Sequence, residues 1–258
     1  MSKVIFLGVD LGWQSGASGL CCLALKNNHF TLVELQLQLD LTAIYAWIDR
    51  CSHSAETAVI GVDAPTLIPN ETGMRIPDRL AHRYFGKYDA GCYPANRSRP
   101  FAERLIGVGL TLTDRGFRHA PGAPARSQGR FQLEIFPHPA TVHLFRLTKI
   151  IKYKKGPIAQ RRAQLERLRA LQLEVLPQLD PPLLLTADEL PAIPMKGAAL
   201  KAVEDLLDSL TCAYAAAHWW WWGEQRNWVL GNTDTGYIVV PAPYPDQIQP
   251  LSDICDRS

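Results

Sequence analysis

The chain has 258 residues, 47% of them hydrophobic and 20% charged, with a formal net charge of +2. That balance excludes a disordered chain and a uniformly basic nucleic-acid-coating protein, and no apolar run is long enough to span a membrane. A chain of this length buries a sizeable core, and no repeat, low-complexity tract or linker divides it, so one domain over residues 1–258 is expected. The six cysteines (21, 22, 51, 92, 212 and 255) show no C-x-x-C or other metal-ligand spacing. Reduced thiols in a cytoplasmic protein are therefore expected. The first residues run straight into an apolar strand, and no signal peptide is expected.

The first strand is read over 3–12, K-V-I-F-L-G-V-D-L-G. Its near-continuous apolar run, Val4 to Leu7 and Val9, suits a strand buried on both faces at the centre of a sheet. Asp10 stands at its carboxyl end. A carboxylate leaving a buried strand is costly unless a cation or backbone N–H groups compensate it; a turn or helix cap is the plain alternative. The pattern recurs in A-V-I-G-V-D-A-P over 58–65, which puts Asp63 at a second strand end. Between the two lie strands over 20–25 and 30–39, joined by an Asn27-Asn28 hairpin turn. In the later strand Val33, Leu35, Leu37 and Leu39 are expected on one face, with Glu34, Gln36 and Gln38 on the other. Asp40 caps a helix running to about Cys51, with Ile44, Trp47 and Ile48 on one face. The strand over 58–62 follows that helix and should lie parallel to the first.

From about 65 to 128 the chain is irregular and rich in Pro, Gly and Arg, which reads as a helical insertion. Pro77 opens a short helix and another covers 101–113. Arg75, Arg79, Arg83, Lys87, Arg97 and Arg99 make the insertion basic, either as a solvated surface or as substrate-binding parts. A fifth strand covers 131–136, with Phe131, Leu133 and Ile135 on one face and Gln132 and Glu134 on the other. Residues 146–169 hold nine Lys or Arg against one acid, Glu166. From Ile158 they read as a helix with Leu165, Leu168, Leu171 and Val175 on its apolar stripe. Its basic face is either solvated or a phosphate-tracking surface. After a proline-rich loop over 181–194, a long helix spans 197–222. It carries a polar stripe of Lys201, Asp205, Asp208 and Cys212 and turns apolar all round from Leu210. The tryptophans 219–222 sweep about 300° of helix surface. They call for a cover, from the C-terminal segment or from a homo-oligomeric interface, with base stacking a weaker alternative. A hairpin over 228–240 and a tail complete the chain.

Asp10, Asp63, Glu134 and Asp208, with Asp205 as a substitute for the last, form the candidate site. Several carboxylates in one place repel unless a cation joins them. Oxygen donors without a His or Cys cluster suit Mg²⁺ or Mn²⁺. Two such ions about 3.5–4 Å apart can support phosphodiester cleavage. Arg79, Arg83, Lys152, Lys154, Lys155 and Arg162 are the candidate substrate-binding residues for a nucleic acid, DNA or RNA. The order of a three-strand meander, helix, strand, helical insert, strand and helices resembles the ribonuclease H-like fold: a mixed five-stranded sheet flanked by helices. G-V-D-L-G (8–12), G-V-D-A-P (61–65), E-I-F-P-H (134–138), K-x-K-K-G (152–156) and D-L-L-D-S-L-T-C-A (205–213) together resemble the domain-of-unknown-function family 429. Its members are predicted nucleases, so the resemblance implies a metal-dependent hydrolase with these acids in its site. Ser209 stands where that family usually has Ala, and Thr66 where it often has Leu. The alternatives are a phosphotransferase or ATPase of the actin and sugar-kinase type, and a nucleic-acid-binding protein of the same fold without catalysis. No G-x-x-x-x-G-K-[ST] phosphate loop is present.

Overall fold

A computed structural model describes residues 3–13, 16–195 and 197–245. The strands β1 (Val4–Asp10), β2 (Ser18–Lys26) and β3 (His29–Gln38) form an antiparallel meander. Its second turn has Asn27 at φ 45° and Asn28 at φ 65°, the left-handed pair that a tight hairpin favours and asparagine tolerates. Helix α1 (Leu41–Ser52) starts where the Asp40 carboxylate accepts the Ala43 N–H, and it returns the chain to β4 (Thr57–Val62), parallel to β1. Helices α2 (Ile76–Phe85) and α3 (Ala102–Asp114) follow, then β5 (Arg118–His119), β6 (Gly129–Glu134), α4 (Pro137–Leu144) and α5 (Ile158–Val175). The described chain ends with β7 (Leu183–Leu184), α6 (Gly197–Trp222) and the hairpin of β8 (Asn227–Asn232) and β9 (Gly236–Pro241). The expected C-terminal tail lies outside the described residues.

Among the described residues the main sheet is mixed and has seven strands, in the order β5-β6-β4-β1-β2-β3-β7. The five expected strands are its contiguous centre. The two extra edge strands are two residues each, too short to show any alternation, and β7 lies within the segment read as a loop. The even alternation expected in β3 also fails. Cys22 pairs with Glu34 but Leu23 pairs with Leu32, so Val33 is an extra residue in a bulge and is 56% exposed.

Alternation in the central strands sorts the core into two layers. Ile5, Leu7, Val9, Ala58, Ile60 and Val62 pack beneath α1 and α3, against Ile44, Trp47, Leu105 and Leu112. Val4, Phe6, Val59, Phe131 and Leu133 pack beneath α6. Helix α6 sits unusually low on the sheet. A Cβ at Gly8 would lie 2.0 Å from the Ser209 carbonyl oxygen, and one at Gly19 would lie 1.9 Å from that of Asp205. Only glycine permits such an approach, and the approach places the acidic turn of α6 on the carboxyl end of β1.

Trp219, Trp220 and Trp221 are buried within the chain, against Phe6, Phe30 and Phe131. Their cover is the end of the insertion. The Trp219 indole N–H donates to the Pro121 carbonyl, that of Trp220 to Ser127, and Arg126 lies 3.9 Å over the Trp221 ring. Only Trp222 of the four reaches the surface, half-buried beneath Arg226. The tryptophan run is therefore spent inside the fold and offers neither the stacking surface nor the broad interface entertained from the sequence. Among the described residues no helix is long and apolar enough to cross a membrane.

Candidate active site

Sheet register decides which acids meet. Val9 lies beside Val62, and Val62 beside Glu134. One step further on, the Asp63 N–H donates to the Val9 carbonyl and the Ile135 N–H to the Val62 carbonyl. Asp10 and Asp63 thus end level with each other and with Ile135, not Glu134. By alternation both project to the α6 side, as Phe6 and Val59 do, whereas Glu134 projects to the opposite side. Asp10, Asp63 and Asp208 each offer a carboxylate oxygen within 4.8 Å of the others. The structure does not bring Glu134 into that group. It accepts two hydrogen bonds from the Arg75 guanidinium, at 2.6 and 2.7 Å, and Arg75 also holds Asp78 at 2.8 Å. Glu134 anchors the insertion to β6.

Two lysines partly offset the acids on α6. The Lys154 ammonium is 2.9 Å from Asp208 and 3.8 Å from Asp63, and the Tyr153 hydroxyl donates to Asp208 at 2.5 Å. Lys201 pairs with Asp205 at 2.6 Å and with Glu204 at 2.7 Å. Burial opposes the charge on Lys154, but Asp208, Tyr153, Asp63 and Asp10 together hold its pKa well above the usual range. Burial raises the Asp10 pKa well above the carboxylate range, Lys154 opposes it, and Asp208, Asp63 and Asp205 add to it. Burial first, then Asp208 and Glu134, push Asp63 up to about 7 against the pull of Lys154 and Lys201. Burial also raises Asp205, against the pull of Lys201.

One lysine cannot neutralise three carboxylates. Asp10 Oδ2 is buried without a hydrogen-bond partner, an expensive arrangement unless a cation completes it. The donor set is oxygen alone, which suits a hard divalent ion such as Mg²⁺ or Mn²⁺. The residues fit that group, with Asp10, Asp63 and Asp208 as the side chains able to hold it.

Asp10, Asp63, Asp205 and Glu134 line a cleft of about 1010 Å³ whose walls also include Lys154, Lys155 and Lys201. Of the expected substrate-binding residues, Lys154 and Lys155 line this cleft. Lys152 instead pairs with Asp89 at 3.0 Å and Arg162 with Glu166 at 3.1 Å. Arg79 donates to the Met74 carbonyl, and Arg83 lies exposed over the Tyr84 ring. The sequence reading singled out neither Arg75 nor Tyr153 as a partner of the acids. Tyr153 was within reach, since it lies inside the K-x-K-K-G motif. Arg75 gave no local signal, because its partner Glu134 is far along the chain.

A solved structure, T. thermophilus RuvC in complex with Holliday junction substrate, is similar over 83% of this chain and 96% of its own, at 12% identity and a TM-score of 0.29. No curated protein matches the sequence. The profile of the family described as "Protein of unknown function (DUF429)" matches residues 8–235, which takes in the strand ends bearing Asp10 and Asp63 and the helical Asp208, and the chain belongs to that family.

Proposed function

We propose that this chain is a metal-dependent nuclease of the ribonuclease H-like fold, working as one domain with residues 65–128 as an insertion. The observation that carries the reading is the meeting of Asp10, Asp63 and Asp208 within 4.8 Å, with Asp10 and Asp63 lining an open cleft whose walls include Lys154, Lys155 and Lys201. Divalent ions held there, Mg²⁺ or Mn²⁺ and two in number, would supply Lewis acidity and a nucleophilic water for phosphodiester hydrolysis.

The chain's own residues have separable tasks in this reading. Asp10 and Asp63 hold their positions through the ladder of β1 and β4, and Asp208 is fixed by the Tyr153 hydroxyl. Lys154 and Lys155 draw a phosphodiester backbone towards the acids. Lys154 also neutralises Asp208 while no cation is present. Arg75, by holding Glu134 and Asp78, keeps the insertion docked along the cleft.

The test is a cleavage assay on single- and double-stranded DNA and RNA with millimolar Mn²⁺, beside thermal melts. Asp10→Asn and Asp63→Asn are expected to abolish metal-dependent cleavage and to remain folded, since Asn is nearly isosteric and removes one of several crowded charges. Cleavage at the unmodified level by either variant removes that residue from the mechanism.

A further inference from the structure

One wall of the cleft is aromatic, and neither the acids nor their lysines account for it. Trp13 follows β1 by three residues, and its indole N–H donates to the Asp63 carbonyl at 3.1 Å. Its ring meets the Phe101 ring edge-on at 4.7 Å. Phe101 in turn meets Tyr93 at 6.4 Å, and the Arg99 guanidinium lies 5.4 Å over the Tyr93 ring. All four side chains line the cleft that holds Asp10 and Asp63. Arg104 ties this wall to the site by donating to the Gly12 carbonyl.

Two properties of the wall point to a ligand. Tyr93 is 62% exposed, which leaves a large aromatic surface facing water. Arg99 has its Nε buried without a hydrogen-bond partner, so a cationic donor is held there unmatched. An aromatic surface beside a guanidinium with an unmatched N–H is complementary to a nucleotide unit, with the base on the ring and the phosphate on the cation. A continuous duplex keeps its base faces stacked and offers only edges and backbone. A single strand, or a strand end, exposes a base face.

We propose that Trp13, Tyr93, Phe101 and Arg99 form a base-stacking subsite, and that the substrate enters the cleft as single-stranded nucleic acid. Tyr93 takes the exposed base, Arg99 a phosphate, and Trp13 with Phe101 the rigid backing that sets the distance to the acids. This rests on the nuclease reading for the identity of the strand, though not for the stacking itself.

The experiment measures binding apart from cleavage. Fluorescence anisotropy is recorded in Mn²⁺ for the full chain carrying Asp10→Asn, with a labelled single-stranded oligonucleotide and with the same strand made abasic. The base-containing strand should bind more tightly. Tyr93→Ala should reduce that preference by about fivefold to 100-fold, and Tyr93→Phe should keep it. Arg99→Gln should weaken both strands alike and lower the salt slope by about 0.7. Equal binding of the two strands, a preference untouched by Tyr93→Ala, or tighter binding of duplex overturns the subsite. Tyr93-dependent binding of ATP without any of oligonucleotide also overturns it, in favour of a free nucleotide. A chain that cleaves nothing but shows Tyr93-dependent base preference sinks the nuclease reading and leaves the subsite standing. A chain whose cleavage ignores both the base and Tyr93 does the reverse.

Discussion

The Lys154 ammonium lies 2.9 Å from the Asp208 carboxylate, which has no exposed surface and accepts a hydrogen bond from Tyr153. Removing the lysine leaves a buried charge to be met by a proton or by an external cation. Lys154→Met should therefore destabilise the metal-free chain by about 2–4 kcal/mol, below the full value for a buried pair because the lysine is about one-third exposed. Millimolar Mn²⁺ should restore much of the loss, since a bound ion compensates the same carboxylate. Melts in EDTA and in Mn²⁺ decide it. An equal drop in both sinks the idea that ammonium and metal answer the same charges.

The closeness of α6 to the sheet yields a paired prediction. At Gly8 an added methyl would meet the Ser209 carbonyl at 2.0 Å and the Ala213 nitrogen at 2.4 Å. Both are backbone atoms that move only with the helix. Gly8→Ala should cost about 1–3 kcal/mol or more and shift Asp208 away from Asp10. Gly107, inside α3, has nothing within 4 Å of an added Cβ, so Gly107→Ala should stabilise by about 0.5–1 kcal/mol. Denaturant melts of the two variants should move in opposite directions. A Gly8→Ala melt like the unmodified one contradicts the close packing.

Particular residues show how much was legible. The first and fourth strands announced themselves through apolar runs ending in Gly-Val-Asp, and their parallel adjacency followed from the helix between them. That sufficed to bring Asp10 and Asp63 together. Asp208 was legible from its place at the wet-to-dry border of a long helix. Glu134 shows the limit of reading by element. Alternation already put it on the face opposite Phe131, Leu133 and Ile135, but which face α6 covers is a tertiary fact. The Glu134–Arg75 pair spans 59 residues and leaves no local trace. The aromatic wall is equally hidden, since Trp13 and Phe101 are far apart in the chain and meet only when the insertion folds back over β1.

Stability should depend on pH in the sense opposite to ordinary surface carboxylates. The Asp63 pKa is raised from 3.8 to about 7 in the folded chain, chiefly by burial. The folded state therefore binds this proton more tightly than the unfolded one. The stabilisation is complete below the unfolded value and is lost as pH rises through about 7. Asp10, raised by the same cause, acts in the same direction. In EDTA the melting temperature should fall between about pH 4 and pH 7, and Asp63→Asn should flatten the fall. Protons and cations compete for these oxygens, so the gain from Mn²⁺ should grow over that range, towards about 2.7 kcal/mol at a hundred times the dissociation constant. A Mn²⁺ effect that shrinks with rising pH contradicts the assignment.

The two aspartates of α6 should separate in activity, with Asp208 essential and Asp205 dispensable. Both lie on one face of the helix, three residues apart, and both are buried. Their partners differ. Asp205 is matched by Lys201 at 2.6 Å and acts on Asp10 as a neighbouring like charge. When Asp10 ionises to take a cation, Asp205 becomes a repelling neighbour. Asp205→Asn removes the repulsion. Asp208 has an oxygen within 4.8 Å of both Asp10 and Asp63 and is steered by Tyr153 and Lys154. Asp208→Asn should therefore lose activity as severely as Asp10→Asn, beyond the ~10–100-fold typical of an outer-shell partner, while Asp205→Asn should stay within that range or below it. Cleavage rates at saturating Mn²⁺ decide between them, with Lys201→Met as a control that exposes Asp205 unpaired. If Asp205→Asn is inactive and Asp208→Asn active, the ion is held by the Asp10–Asp205 pair, and Lys154 is the permanent rather than the interim partner of Asp208.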